Sequence, residues 1–481
     1  MPASSTEGGR SGTLASAASR QAPALPPAAT VRAAIKALEQ HGSDALAVVD
    51  PDSGTPLGIL TLRDILRRVV LGGNDLEQPV AAVMTGGVLR LQGDASLHRA
   101  SVTMIRRNVH HLVLVERDGR FANVVSQGDL FAMPGARNGE LVGAIAKAPD
   151  IPQLAAVAAD VRRFCAELVR EGLSAEAMCQ QISALNDLIG LRAIDLVSAE
   201  HELPYVPWCW MVFGSEGRLE QTLATDQDNG IVFAAANAAE AASLRAIFLP
   251  FAVAVNEALD ACGFPLCKGG IMAGNPSLCL SLDEWKSRFS GWLREAEPEA
   301  ILAATIYFDL RALYGDDALV SNLQDWLLAQ TRDSPAFLRA MAASTLSWQS
   351  PLGWWSSFRY DDNEAFPHTI DLKLHGVRPF VDAARIWALA NGVSVTNTAD
   401  RLRAVGPLLR QKTEDTAAFL GALAQVQRMR FANQIQAANA AAANRVDPDR
   451  LNELDRQILK EAFRQAKYLQ QLLEVEFLRP A

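Results

Sequence analysis

The run Trp208-Cys209-Trp210-Met211-Val212-Phe213 is an unbroken apolar stretch of strand length that stops at Gly214-Ser215. A run without polar alternation suits a strand covered on both faces, so it predicts a sheet enclosed by helices. Gly214 lets the backbone approach a ligand, and Ser215 offers a hydroxyl and an amide. A helix starting near Glu216 would turn free amides toward phosphate oxygens. Farther on, Asp226-Gln227-Asp228 leads into a second apolar run, Asn229-Gly230-Ile231-Val232-Phe233. Residues two apart in a strand point the same way, so Asp226 and Asp228 converge while Gln227 turns away. Two such carboxylates suit a hard divalent cation, because Mg²⁺ prefers one or two carboxylates plus substrate phosphates over an all-protein cage. The same residues could also be plain turn residues ahead of a strand.

A pair of cations about 3.5–4 Å apart needs a further acid. Ala304–Leu313 reads as another apolar strand whose only charges, Asp309 and Arg311, share a face. Charge inside a buried strand is costly unless it is paired or ligates something. Asp309 is therefore a candidate metal ligand, and an ion pair with Arg311 is the alternative.

These residues resemble the nucleotidyltransferase superfamily of DNA polymerase beta, with its Gly-Ser, spacer, Asp-x-Asp and later Asp. The closer resemblance is to bacterial PII uridylyltransferases and glutamine synthetase adenylyltransferases, and above all to the CBS-domain-containing nucleotidyltransferases related to them. Gly214–Asn229, Cys267–Pro276 and Ile370–Pro379 carry that match. The resemblance implies Mg²⁺ (or Mn²⁺) at Asp226, Asp228 and Asp309, with Asp309 also helping to deprotonate the acceptor. It implies nucleotide contacts from Gly214, Ser215, Arg218 and Lys268, and transfer of an NMP from an NTP to a hydroxyl. A protein acceptor is the leading expectation, and a catalytically inactive nucleotide-sensing regulatory or scaffold protein is the rival. On its own, Lys268 could equally meet a phosphate or stand as a solvated loop lysine.

Residues 30–135 contain a repeat that reads helix, strand, turn, strand, helix. Ala45–Asp50 and Leu57–Ile65 form one copy; His111–Glu116 and Val124–Leu130 form the other, with a helix expected over Ser96–Arg107. This resembles a tandem CBS pair, which implies adenosine-nucleotide binding through Thr61 and Asp64 in the first copy and Ser126 and Asp129 in the second. A hydroxyl and a carboxylate three residues apart also form a helix cap, so capping alone is an alternative role. His110 and His111 read as packing or surface residues.

The fold class expected is multidomain α/β. Residues 1–29 read as a disordered tail, 30–135 as the CBS pair, 140–320 as a nucleotidyltransferase domain with N-terminal helices, and 321–481 as a helical bundle that the resemblance makes the substrate-binding domain. In that bundle Asp371, Lys373, His375, Arg378, Asp382 and Arg385 crowd together, as an ion-paired surface or as a cradle facing the catalytic strands. A net charge of −9 disfavours a duplex nucleic-acid partner. The cysteines form no Cys-x-x-Cys pair, and the apolar stretch around Ala246–Ala254 is cut by Pro250, so a soluble cytoplasmic protein, without a membrane partner and with a homodimeric CBS pair, is expected.

Overall fold

The computed structural model describes residues 21–93, 100, 103–104, 109, 111–126, 129, 136–347, 350–353, 357–437, 439 and 441–479. The chain divides into two compact units, Met1–Ala146 and Lys147–Ala481.

The first unit bears out the repeat. In one copy β1 (Ala24–Leu25) runs parallel to β2 (Ala45–Val49), which pairs antiparallel with β3 (Pro56–Thr61), and β3 with β4 (Thr85–Gly86). In the other, β5 (Arg90–Gln92) runs parallel to β6 (His111–Val115), which pairs antiparallel with β7 (Phe121–Ser126). The register is equivalent: Ala45 faces Thr61 in the first copy, and His111 faces Ser126 in the second. Helix α1 (Val31–His41), capped by the Thr30 hydroxyl, buries Val31, Ala34 and Leu38 against the first sheet. Residues 21–29, expected within the tail, instead supply β1. The Ala22 amide there donates to Asn123 Oδ1 at 2.8 Å, tying the segment to the second copy. Residues 1–20 and nearly all of the expected Ser96–Arg107 helix lie outside the described residues.

The second unit is built on a four-stranded sheet in the order β10-β9-β8-β11. Strand β8 (Trp208–Val212) and β9 (Asn229–Phe233) are the two apolar runs of the sequence, paired antiparallel with Val212 opposite Asn229, and all five residues of β9 are buried. Strand β10 (Cys279–Ser281) lies parallel to β9, and β11 (Arg311–Gly315) antiparallel to β8. Helices α2 (Ile151–Arg170), α3 (Ala175–Ser198) and α4 (Ala238–Ala261) pack together, α4 reaching β10. α5 (Leu282–Glu295) packs on β9 and β10, and buried Trp285 on it donates to the Ile231 carbonyl at 2.9 Å, as a core residue of its helix.

Three expectations change here. The segment expected as one strand from Ala304 is α6 (Pro298–Tyr307) followed by a turn through Asp309 and then β11, because Pro298 at the first turn starts a helix. The apolar stretch around Ala246–Ala254, expected to be cut by Pro250, lies in α4, which starts at Ala238 behind its cap Asn237, runs through Pro250 and is the one helix among the described residues long and apolar enough to cross a membrane; its Phe248, Phe251, Ala252 and Val255 are buried. The boundary at 320/321 falls inside α7 (Asp317–Arg332), and a single core runs from Cys209 and Phe213 through Leu323 to Phe463 and Leu473, so the parts expected as separate domains on either side of that boundary are one folded body. Asp447-Pro448 starts a single turn, and the last long helix begins at Glu453 with Asn452 as its cap.

Candidate active site

The sheet delivers its polar residues to one end. Continuing the β8–β9 ladder, the Phe213 amide donates to the Asp228 carbonyl at 2.8 Å, which fixes the glycine turn beside the acidic segment. Gly214 opens a short helix, Gly214–Gly217, at φ +54°, a left-handed conformation that a side chain disfavours. A Cβ there would lie 3.2 Å from Asp228 Oδ2, so glycine leaves the space over that carboxylate open. Ser215 follows, half-buried at the start of the turn. Gly217 is required by closeness: a Cβ would sit 1.8 Å from the Asp309 carbonyl oxygen.

Asp226 is exposed, Asp228 half-buried and Gln227 buried, the alternation expected of an extended segment entering β9. Gln227 anchors the segment from the far side. Its Nε2 donates to the carbonyls of Asn256 and Phe264 at 2.9 and 2.8 Å, while Asn256 Nδ2 donates to Gln227 Oε1 and to Asn229 Oδ1 at 2.8 and 2.9 Å. Asn229 Oδ1 also takes the Ala273 amide at 2.8 Å, stitching the glycine-containing loop 264–275 alongside. The alternation in sequence predicts only that Gln227 faces away; the buried amide cluster on that side joins residues far apart in the chain.

Burial first, and then the negative charge of Asp226, push Asp228 up to about 7, with the Cys267 thiol, Lys373 and Arg218 acting against the rise. Glu216 is likewise raised well above its usual range, first by burial and then by Asp187, with Asp226 and Asp228 adding to it. Carboxylates crowded at an open space fit a divalent cation, which would relieve their repulsion. Among the described residues no three His, Cys, Asp or Glu side chains form a metal-binding cluster. The donor set thus fits a cation that Asp226 and Asp228 share with phosphate oxygens and water, not an all-protein cage.

Asp309 is not part of that donor set. Its Oδ1 accepts from Arg385 Nε at 3.1 Å and Arg401 Nη1 at 2.6 Å, and its Oδ2 from Arg218 Nη1 at 2.7 Å and Arg385 Nη2 at 2.6 Å. The carboxylate is 0% exposed, and although burial would raise it, Arg385, Arg401 and Arg218 hold it well below the usual range. Both oxygens are taken and three positive charges surround them, which rules out the expected metal role. The expected pairing with Arg311 is absent too: Arg311 reaches buried Asp187 at 2.9 Å. Arg218, expected on the nucleotide, is spent on Asp309 and on Glu220 Oε2 at 2.8 Å.

The bundle grips this turn at further points. Thr396 Oγ1 donates to the Gly217 carbonyl at 2.7 Å, Asn397 Nδ2 to the Arg218 carbonyl at 3.1 Å, and the Thr398 amide to Glu220 Oε1 at 2.6 Å. In the charged segment Ile370–Arg385, His375 pairs with Asp361 at 2.9 Å, Arg378 with Asp382 at 3.2 Å, and Arg385 with Asp382 at 2.7 Å. Lys268 is exposed on its loop, next to Cys267.

In the first unit, Thr61 and Asp64 form a capping box, and Ser126 and Asp129 repeat it. Asp64 Oδ2 accepts from Thr61 Oγ1 at 2.8 Å, and Asp129 Oδ2 from Ser126 Oγ at 2.6 Å. A cleft of about 650 Å³ between the copies is lined by Asp44, Thr61, Asp64, Thr85, His111 and Ser126. His111, expected as packing or surface, faces this cleft with its Nε2 3.2 Å from Asp44 Oδ1. His110 lies outside the described residues.

Residues 159–299 match the family model described as "Putative nucleotidyltransferase DUF294", residues 335–477 the "Putative nucleotidyltransferase substrate binding domain", and residues 14–71 and 80–134 the CBS domain. Among curated proteins, the CBS domain-containing protein YhcV of Bacillus subtilis is 31% identical over 110 residues, which is 23% of this chain and 76% of that one. Among solved structures, the CBS domain protein PAE2072 from Pyrobaculum aerophilum, complexed with AMP, is 25% identical at a TM-score of 0.23, covering 24% of this chain and 88% of that chain. A signal-transduction protein with CBS domains from Burkholderia ambifaria MC40-6 is 29% identical at a TM-score of 0.22, covering 24% of this chain and 87% of its own.

Proposed function

Because the chain belongs to the CBS-domain-containing proteins and carries the DUF294 nucleotidyltransferase domain with its substrate-binding domain, we propose that Asp226 and Asp228 mark a transfer site for nucleoside monophosphates. The observation that carries the reading is the pair of carboxylates beside Gly214, where the missing Cβ leaves Asp228 Oδ2 accessible. Asp226 and Asp228 hold Mg²⁺ or Mn²⁺, which when bound neutralises phosphate charge and steers the NTP. Gly214 and Ser215 lie against the phosphates. The acceptor hydroxyl oxygen bonds to the α-phosphorus, the bond from that phosphorus to its bridging oxygen breaks, and pyrophosphate leaves with the electron pair. The hydroxyl proton passes to water or to a carboxylate of the site.

The acceptor is a protein hydroxyl in this reading, by analogy with the PII and glutamine synthetase modifiers, and the bundle selects it. The cleft holding Thr61, Asp64, His111 and Ser126 takes an adenosine nucleotide, as the Pyrobaculum aerophilum relative takes AMP. Incubating the full chain with each α-labelled NTP, Mg²⁺ and cell lysate tests this: label should pass to a lysate component with one NTP and stop on chelation. Label retained on NTP under every condition would favour the nucleotide-sensing scaffold.

A further inference from the structure

The charged segment Ile370–Arg385 has its basic side chains matched with acids, with one exception among the described residues. His375 and Arg445 share Asp361, Arg378 and Arg385 share Asp382, and Arg385 also reaches Asp309. Lys373 is exposed and has no ion-pair partner within 4 Å among the described residues, although its ammonium is near enough to Asp228 to favour the charge there.

The backbone carrying this lysine is fixed against the acidic loop. Asp371 Oδ1 accepts the Leu374 amide at 3.0 Å, closing the turn around Lys373, while Leu372 on one side is fully buried. The Leu372 amide donates to the Asn444 carbonyl at 2.8 Å. Gln434 Nε2 donates to Asn444 Oδ1 at 3.3 Å and to Thr222 Oγ1 at 3.0 Å, and Gln434 Oε1 accepts the Leu223 amide at 3.1 Å. Lys373 and the segment that ends in Asp226 and Asp228 are thus held by one hydrogen-bonded bracket, through residues that are far apart in sequence.

An unpaired ammonium whose backbone is tied to the acidic segment suits the arrival of an anion with its own cation. Resting on the transfer-site reading above, we propose that Lys373 binds the triphosphate oxygens of the incoming nucleotide, so the C-terminal half completes the nucleotide site as well as choosing the acceptor. A compact ammonium on a flexible stem is suited to phosphate as a point charge, whereas the forked Arg378 is already committed to Asp382.

The test is calorimetric binding of ATP, GTP, CTP and UTP with Mg²⁺ to the full chain, comparing wild type, Lys373→Ala, Lys373→Arg and Asp228→Asn. Lys373→Ala should weaken the NTP that binds wild type by about tenfold or more, Lys373→Arg should recover much of that loss, and the corresponding nucleoside should bind both equally. The exposed position leaves thermal melting unchanged. NTP binding by Lys373→Ala within about twofold of wild type, while Asp228→Asn has lost its Mg²⁺-dependent binding, overturns the role of Lys373 and leaves the transfer site standing. Wild type that binds no NTP with Mg²⁺ overturns both.

Discussion

Asp309 places three guanidinium groups on two oxygens, and that arrangement sets what its loss would do. Asp309→Asn leaves Arg401, at 3% exposure, without a counter-charge, and Arg385, at 1%, with Asp382 alone. Removing one partner of a buried pair costs about 3–5 kcal/mol, so the variant should show a lower urea midpoint, or fail to fold, even with Mg²⁺ and NTP absent. A metal ligand would behave differently, losing activity at unchanged stability. The pH response has a fixed sign. The folded pKa of Asp309 lies below the unfolded value of about 4, so its stabilisation is present above that value and is lost as pH falls below it. The gap in urea midpoint between wild type and Asp309→Asn should therefore stay constant from pH 6 to about pH 5 and begin to narrow below about pH 4. From sequence, Asp309 could be recognised as a charge in an apolar stretch that needed a partner. Its partners could not, because Arg218, Arg385 and Arg401 reach it only through tertiary packing.

At the scale of elements, β8 and β9 were legible because strands buried on both faces read as continuous apolar runs, and the acidic segment was legible from its period of two. The stretch from Ala304 was not, since an apolar run fits a buried helix as well as a strand; Pro298 was the available signal. The glycine turn gives two contrasting predictions. Gly217→Ala puts a methyl 1.8 Å from the Asp309 carbonyl and should yield no folded protein by circular dichroism. Gly214→Ala adds strain of about 1–2 kcal/mol at its positive φ and crowds Asp228 Oδ2, so it should fold at a lowered Tm but lose most Mg²⁺-dependent NTP binding. Gln227→Leu removes two donations to buried carbonyls and takes from Asn256 Nδ2 one of its two acceptors. About 1–3 kcal/mol of stability should go, read in denaturant, and loop 264–275 should exchange its amides faster.

At the scale of the whole molecule, the helix, strand, turn, strand, helix repeat was legible from pattern, and its resemblance to a CBS pair led to Thr61/Asp64 and Ser126/Asp129, which form capping boxes. The union of the transferase part and the bundle was not, because their common core is assembled from residues far apart in the chain. If the cleft in the first unit regulates the second, AMP binding should change NTP affinity by about 1–3 kcal/mol, and NTP should change AMP affinity equally. Calorimetry in both orders reads this, and Asp64→Ala with Asp129→Ala should abolish it. The central claim, that Asp226 and Asp228 perform cation-dependent nucleotidyl transfer, is tested most directly by following α-labelled NTP with the full chain, lysate and titrated Mg²⁺. The account predicts label transfer by wild type that rises with Mg²⁺ and falls by about 10²-fold or more in Asp226→Asn and Asp228→Asn at unchanged melting temperature. Equal transfer by either variant, or transfer indifferent to Mg²⁺, would contradict it.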